Sequence, residues 1–256
     1  MLYWLIQTLA DHPALARAEA PEGLLSSIEE VRLRSLIREK RRRDWLLGRW
    51  TAKRLAAFYV ERVTGRRPEL SDILITTDPD GAPRLHGRNG YAFIIDRLAI
   101  SISHSRDHAF CALIAVPGYA PGADIEYVEP RDPGFVTDFF ADPEIAYVHH
   151  APPSARPLLT TVIWSAKEAA LKSLRCGLTV DTRWIVCLPD EPTVDGWAPV
   201  LVQCHPELNA TVHRGWWRQM GRFVLTLATA TTDRGFSINA GDTVAEARRI
   251  EDGVSP

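Results

Sequence analysis

Hydrophobic and polar positions alternate with recognisable periods along most of this chain. Leu2 to Leu9 is apolar enough for an opening strand. Pro21 to Ile37 predicts a helix, with Ser26 and Glu29 spaced as a capping box near its start. From Lys40 to Thr64, Leu46, Leu47, Trp50, Leu55, Ala56, Tyr59 and Val60 recur on one helix face, and Gly65 supplies the stop. Ile73 to Thr77 reads as a strand closed by the turn Asp78-Pro79-Asp80-Gly81. Two more strands come next, Leu98 to Ser103 and Ala109 to Val116, linked by the polar stretch His104-Ser105-Arg106-Asp107-His108.

Pro117 to Gly122 breaks the pattern and suggests a boundary, giving an N-terminal half over 1–118 and a C-terminal half over 119–256. Beyond it, Ala123 to Val128 is extended, Phe135 to Phe140 and Glu144 to His150 predict short helices, and Ala151 to Pro157 is a proline-rich loop. Leu158 to Arg175 predicts a strong helix stopped by Gly177. Trp184 to Leu188, Val200 to His205 and Arg222 to Ala230 are β-like, and the polar stretch from Thr231 reads as a tail. No sequence repeat is evident, although both halves run from helix to strands.

Composition narrows the picture. The 256 residues are 46% hydrophobic and 24% charged, which excludes a disordered chain. No apolar run reaches the roughly 18 residues needed to cross a membrane, and the N-terminus lacks a signal-peptide pattern. A soluble, cytoplasmic protein without membrane contact is expected. The formal net charge of −2 argues against a general nucleic-acid coat. It conceals a basic block from Val31 to Arg54 and an acidic one from Pro117 to Glu144. Each is a solvated face on the plain reading, an anion site and a cation site on the sharper one. Cys111, Cys176, Cys187 and Cys204 form no C-x-x-C pair and read as reduced structural thiols.

Three segments carry candidate chemistry. In Gly122-Ala123-Asp124-Ile125-Glu126, the carboxylates are two apart on a strand and point to one face, where they repel unless a cation sits with them. Hard oxygens of this kind suit Mg²⁺, and the competing reading is an acidic edge strand. In Trp164-Ser165-Ala166-Lys167-Glu168-Ala169-Ala170-Leu171-Lys172, Glu168 and Lys172 lie one helical turn apart, as an ordinary surface pair or as site residues. In Ser101-Ile102-Ser103-His104-Ser105, the Ser–His neighbours point apart on a strand, which disfavours a hydrolase and suits donors to a phosphate. His149-His150 and Trp216-Trp217 read as surface and as core or interface. No P-loop or Rossmann glycine motif is present.

These three segments, in this order and spacing, resemble the 4′-phosphopantetheinyl transferases, in the surfactin-synthetase-activating type with two halves in one chain. The resemblance spans roughly Arg41 to Ala230, and Gly48-Arg49 and Phe139-Phe140 before Glu144 add to it. It implies an α+β fold of two similar halves related by a pseudo-two-fold axis, each a helix on a small antiparallel sheet, with coenzyme A between them. It makes Asp124, Glu126 and Glu168 the Mg²⁺ ligands. Lys172 and His104 become phosphate contacts, with Ser103 in the same loop. The basic residues from Lys40 to Arg49, Arg43 and Arg49 among them, would meet the 3′-phosphate. Gly81-Ala82-Pro83 stands where much of the family has Gly-Lys-Pro, and Arg84 is the candidate replacement for that lysine.

The implied reaction is that of a holo-[acyl-carrier-protein] synthase type enzyme. It moves 4′-phosphopantetheine from coenzyme A to a serine of an apo acyl or peptidyl carrier protein and releases adenosine 3′,5′-bisphosphate. Glu168 and Lys172 are the expected catalytic residues. A patch around Phe139, Phe140 and the Arg175 to Thr179 turn is the expected docking surface, and the enzyme is expected to be a monomer. Two alternatives compete: a non-catalytic coenzyme A or carrier-protein binding module, and a Mg²⁺-dependent coenzyme A hydrolase.

Overall fold

Two buried ion pairs, each between a glutamate near a helix start and a lysine in a long helix, organise this fold. The structure is a computed structural model describing residues 2–192, 196–208, 212–231 and 247–249. It is an α+β protein whose chain falls into two compact units. Among the described residues, one comprises Met1–Pro79, Pro83–Pro117 and Ala247–Arg249; the other comprises Asp80–Ala82 and the chain from Gly118 to Thr231.

In the first unit, β1 (Leu2–Thr8) leads through α1 (Pro13–Ala16) and α2 (Ser27–Ser35) to the long helix α3 (Glu39–Thr64). Then come β2 (Ile73–Thr77), β3 (Pro83–Gly87), α4 (Ala92–Ile95), β4 (Ala99–Ser105) and β5 (His108–Ile114). Helix α2 begins at Ser27 rather than at Pro21. Gly23 is left-handed (φ 70°), and the Leu24 carbonyl accepts from Lys53 Nζ at 2.7 Å instead of joining a helix. Ser26 and Glu29 do form the capping box. α3 ends as its sequence dictates, on left-handed Gly65. Strand β3 is one the hydrophobic pattern missed. β4 runs on to Ser105, because Arg106 and Asp107, both at positive φ, make a two-residue turn. His104 therefore lies in a strand and not in a loop. The apolar face of α3 packs on the sheet through Leu55, Ala56 and Val60 against Ile73, Leu85 and Leu113.

In the second unit, β6 (Tyr119–Tyr127) is followed by α5 (Phe135–Phe139), α6 (Asp142–His150) and the long helix α7 (Arg156–Ser173). Four strands complete it: β7 (Ile185–Pro189), β8 (Ala198–Cys204), β9 (Val212–Met220) and β10 (Phe223–Thr231). β9, unforeseen as a strand, carries Trp216 and Trp217; Trp217 is buried and its Nε1 donates to the Asp190 carbonyl at 2.8 Å. α7 stops short of Gly177, with Arg175 in the left-handed conformation (φ 57°). Arg175 Nε and Nη2 donate to the two Asp80 carboxylate oxygens at 2.8 and 3.0 Å. That fork places the short Asp80–Ala82 segment in the second unit. A last strand, β11 (Ala247–Arg249), pairs parallel with β1. The rest of the predicted polar tail lies outside the described residues.

The strand orders are β11-β1-β5-β4-β3-β2 and β6-β10-β9-β8-β7. Apart from β11, the two orders correspond strand for strand, and each sheet has one long helix on it. The expectation of two similar halves, each a helix on an antiparallel sheet, is borne out, and a short sequence correspondence accompanies it. Trp50-Thr51-Ala52-Lys53-Arg54 in α3 corresponds to Trp164-Ser165-Ala166-Lys167-Glu168 in α7. The two lysines have no exposed side-chain surface. Lys53 Nζ lies 2.5 Å from Glu29 Oε2, and Glu29 Oε1 accepts the Ile75 N–H of β2. Lys167 Nζ lies 2.7 Å from Glu144 Oε2, and Glu144 Oε1 accepts the Cys187 N–H of β7. Glu29 and Glu144 each also accept the N–H of the residue that caps their own helix. One carboxylate thus ties a short helix, a long helix and an edge strand, and a lysine neutralises it, which buried charges require.

Candidate functional site

Asp124 and Glu126 stand on β6, and Glu168 and Lys172 on the α7 face that packs on it. The approach is close because of Gly122: a Cβ there would fall inside the Ala169 carbonyl of α7. Gly122→Ala must lever β6 away from α7, and a destabilisation of about 1–3 kcal/mol is expected from the overpacking. Chemical denaturation of wild type and variant measures it; an unchanged midpoint would contradict the close approach.

Asp124 is nearly buried. Its Oδ1 accepts from Lys172 Nζ at 2.7 Å and its Oδ2 accepts from Ser165 Oγ at 2.7 Å. Thr226 of β10, directly opposite Asp124, completes the cluster through its hydroxyl, 2.8 Å from Ser165 Oγ. Glu126 Oε2 accepts from Arg131 Nη2 at 2.9 Å. Burial pushes the Glu168 carboxyl up from the usual range, and the Asp124 and Glu126 charges push the same way while Lys172 opposes. Burial and then Asp124 raise Glu126 as well, against the pull of Arg131 and Lys172. The Glu126 and Glu168 carboxyls therefore feel their acidic neighbours, and a cation placed among them would favour their ionised forms.

These shifts fix the sign of a stability test. A carboxyl whose folded pKa is raised loses stability for the fold as pH climbs from the unfolded value through the folded one. Glu168→Gln removes that penalty. The variant should match wild type at pH 4 and unfold at a higher temperature at pH 8. Thermal scans across that range check it, and a variant less stable than wild type at pH 8 would sink the assignment.

The donor set is all oxygen, which fits a hard divalent cation such as Mg²⁺. Among the described residues, no three His, Cys, Asp or Glu side chains are gathered closely enough to enclose a metal ion by themselves. Mg²⁺ does not demand such a cage, since it binds through one or two carboxylates, waters and substrate phosphates.

The other predicted residues lie in the first unit. Ser103 is buried and His104 exposed, on opposite faces of β4, and the His104 ring lies on Gly48 of α3. Arg49 does not present a free guanidinium. Its side chain is 13% exposed, with Nε 3.6 Å from Glu29 Oε1, Nη2 donating to the Ile75 carbonyl and its plane over Trp45. Arg43 is half-buried beside Glu39, and Arg84 is exposed near Asp78. The docking patch also needs correction. Phe140 is core, 1% exposed under Lys167, whereas Phe139 is 38% exposed, meets Trp164 edge-on and lies tilted against Phe135.

The correspondence between the two units extends to the carboxylate site. Counted from the closing pair of each hairpin, Leu5 and Gln7 of β1 occupy the places of Asp124 and Glu126 in β6. Arg54 and Phe58 take those of Glu168 and Lys172. At these corresponding places, only the second unit carries the carboxylates.

Comparison with known proteins bears on that unit. A family model matches residues 120–227. That model describes the 4′-phosphopantetheinyl transferase superfamily. The matched span contains Asp124, Glu126, Glu168 and Lys172. Among solved structures, the chain resembles the holo-[acyl-carrier-protein] synthase of Thermotoga maritima at 19% identity and a TM-score of 0.35, over 44% of this chain and 63% of that one. A Chronobacterium ammoniagenes ACPS–CoA complex matches at 24% identity and 0.35, over 44% and 97%. The Helicobacter pylori synthase in complex with coenzyme A matches at 20% and 0.34, over 44% and 98%. No curated protein matches significantly. Among the described residues, no helix is long and apolar enough to cross a membrane.

Ser165, Thr226, Gly122 and Arg131 were not assigned roles from sequence. Ser165, Glu168 and Lys172 are spaced i, i+3, i+7, so one helix face could have shown Ser165. Arg131 lies in coil after β6, where no periodicity marks it.

Proposed function

We propose that this protein transfers 4′-phosphopantetheine from coenzyme A to a serine of an apo carrier protein, in the manner of the surfactin-synthetase-activating enzymes. The observation that carries this is the coupled Asp124–Glu126–Glu168 set with Lys172, inside the span matched by the superfamily model. The serine oxygen bonds to the β-phosphorus of coenzyme A, the bond from that phosphorus to the bridging oxygen breaks, and adenosine 3′,5′-bisphosphate leaves with the electron pair. Asp124, Glu126 and Glu168 would hold Mg²⁺, which supplies charge neutralisation on the diphosphate. Lys172 sits beside Asp124 and adds a positive charge at that place. Glu168, raised by burial, is suited to take the serine proton, directly or through a water. Ser103, His104, Arg43 and Arg84 are the reading's contacts to coenzyme A phosphates. Arg49 is the weakest of that group because Glu29 and Ile75 already engage it.

The test is mass spectrometry of an apo carrier protein incubated with the enzyme, coenzyme A and Mg²⁺. Gain of the phosphopantetheine mass supports transfer. No gain over a panel of acyl and peptidyl carrier proteins would overturn it, and free phosphopantetheine released without carrier protein would point to hydrolysis.

A further inference from the structure

Among the described residues, Arg131 is the cation that reaches the carboxylate site from outside the β6–α7 pair. It comes after β6 and Pro130, in coil before α5. Its Nη2 holds Glu126 Oε2 at 2.9 Å, with both side chains about a quarter exposed. Its guanidinium lies 5.2 Å from the Phe135 ring, so an aromatic face holds it over the site. The contact to Glu126 is nevertheless incomplete. Arg131 Nε is buried and finds no hydrogen-bond partner among the described residues. Arginine–carboxylate pairs are frequently bidentate, with two parallel N–H bonds that add strength and geometric fixity, and this pair has only the one. Asp124, by contrast, has both oxygens bonded, to Lys172 and Ser165.

From this asymmetry we infer that Arg131 is a displaceable counter-cation: it neutralises Glu126 while no divalent ion is bound and releases that oxygen when one binds. The inference rests on the proposed metal role of Glu126. Arg131 is a positioning residue here, acting through Glu126, and its effect is a competition. A divalent ion approaching Glu126 must displace one positive charge and meets the repulsion of that charge until it moves. Removing the charge should therefore tighten metal binding, whereas losing a ligand or a folding contact weakens it.

The experiment is Mn²⁺ binding to the full chain without coenzyme A, read from the free-ion signal in electron paramagnetic resonance. Arg131→Gln should bind Mn²⁺ about tenfold more tightly than wild type, and Arg131→Lys, which keeps the charge, should stay near wild type. Adding Glu126→Gln should abolish the gain. Circular dichroism melts confirm that each variant is folded, and a Mn²⁺ affinity that drops in a folded Arg131→Gln protein overturns the role. Equal affinities of wild type and Arg131→Gln overturn the role of Arg131 and leave the metal reading standing. No Mn²⁺ binding by either protein overturns both. The predicted gap in a protein that transfers nothing to any carrier retains the Arg131 role and removes the proposed function.

Discussion

Asp124→Asn should lower the rate of phosphopantetheine transfer by at least about 10²-fold while leaving the fold intact, because under the proposed function it weakens the hold on the cation that would neutralise charge developing on the diphosphate. The substitution keeps the shape of the side chain and one carbonyl oxygen. Ser165 retains an acceptor, so the Ser165–Thr226 cluster survives. What goes is the negative charge that Lys172 Nζ meets at 2.7 Å and that Glu126 and Glu168 feel. The same experiment with Glu168→Ala should give a loss at least as large, because the proposed function gives that carboxylate both the ion and the serine proton to handle. Holo-carrier formation is followed by mass over time, and full activity in either variant would sink the assignment of the carboxylates. For Glu168, whose carboxyl burial raises, the pH behaviour separates this from misfolding, since a carboxylate that is costly to the fold leaves a more stable protein when neutralised.

The second large effect is structural. Lys167→Ala strips the neutralising partner from Glu144, whose two oxygens hold Ala141 and Cys187 N–H groups in a fully buried place. Breaking such a pair from one side leaves an uncompensated charge and typically costs about 3–5 kcal/mol. For a chain of this size that is a fall in Tm on the order of 10 °C. Lys53→Ala should do the same in the first unit through Glu29. Replacing both partners with apolar residues, Glu144→Leu with Lys167→Met, should recover part of the loss, because no charge is then stranded. Calorimetry of the single and double variants decides it. A single variant with wild-type Tm would show that the pair is not what holds α6, α7 and β7 together.

Much of this architecture was legible before any coordinate. α3 was legible at both ends: the expected start at Lys40 falls one residue inside the observed Glu39, and Gly65 marks the stop by its conformational freedom. β1, β2, β4 and β5 stood out as apolar runs between turn residues. β3 and β9 did not, because Pro83-Arg84-Leu85-His86-Gly87 and the Gly215-Trp216-Trp217 stretch lack clean alternation. Their strand character comes from pairing with neighbours, which is non-local. The stop of α7 was misplaced for a related reason: Arg175 turns left-handed where glycine is the usual choice, and its side chain is held by Asp80, far away in sequence.

The site was readable to the extent that period-two and period-3.6 spacing put Asp124 with Glu126 and Glu168 with Lys172. Their assembly into one cluster required the β6–α7 packing that Gly122 permits. The family resemblance gave Phe140 to a surface patch, whereas its ring is sealed beneath Lys167. Arg49 was expected to meet a ligand, whereas the Glu29 carboxylate of α2 draws it inward.

The paired glutamate–lysine clamps also set a trap for functional surveys. Lys167 lies one residue from Glu168 and five from Lys172, and its loss should depress activity as severely as theirs by unfolding the helix that presents them. An activity screen would then score Lys53 and Lys167 as essential residues of the reaction. Only a stability measurement beside it would reveal that neither lysine has any surface to offer a substrate.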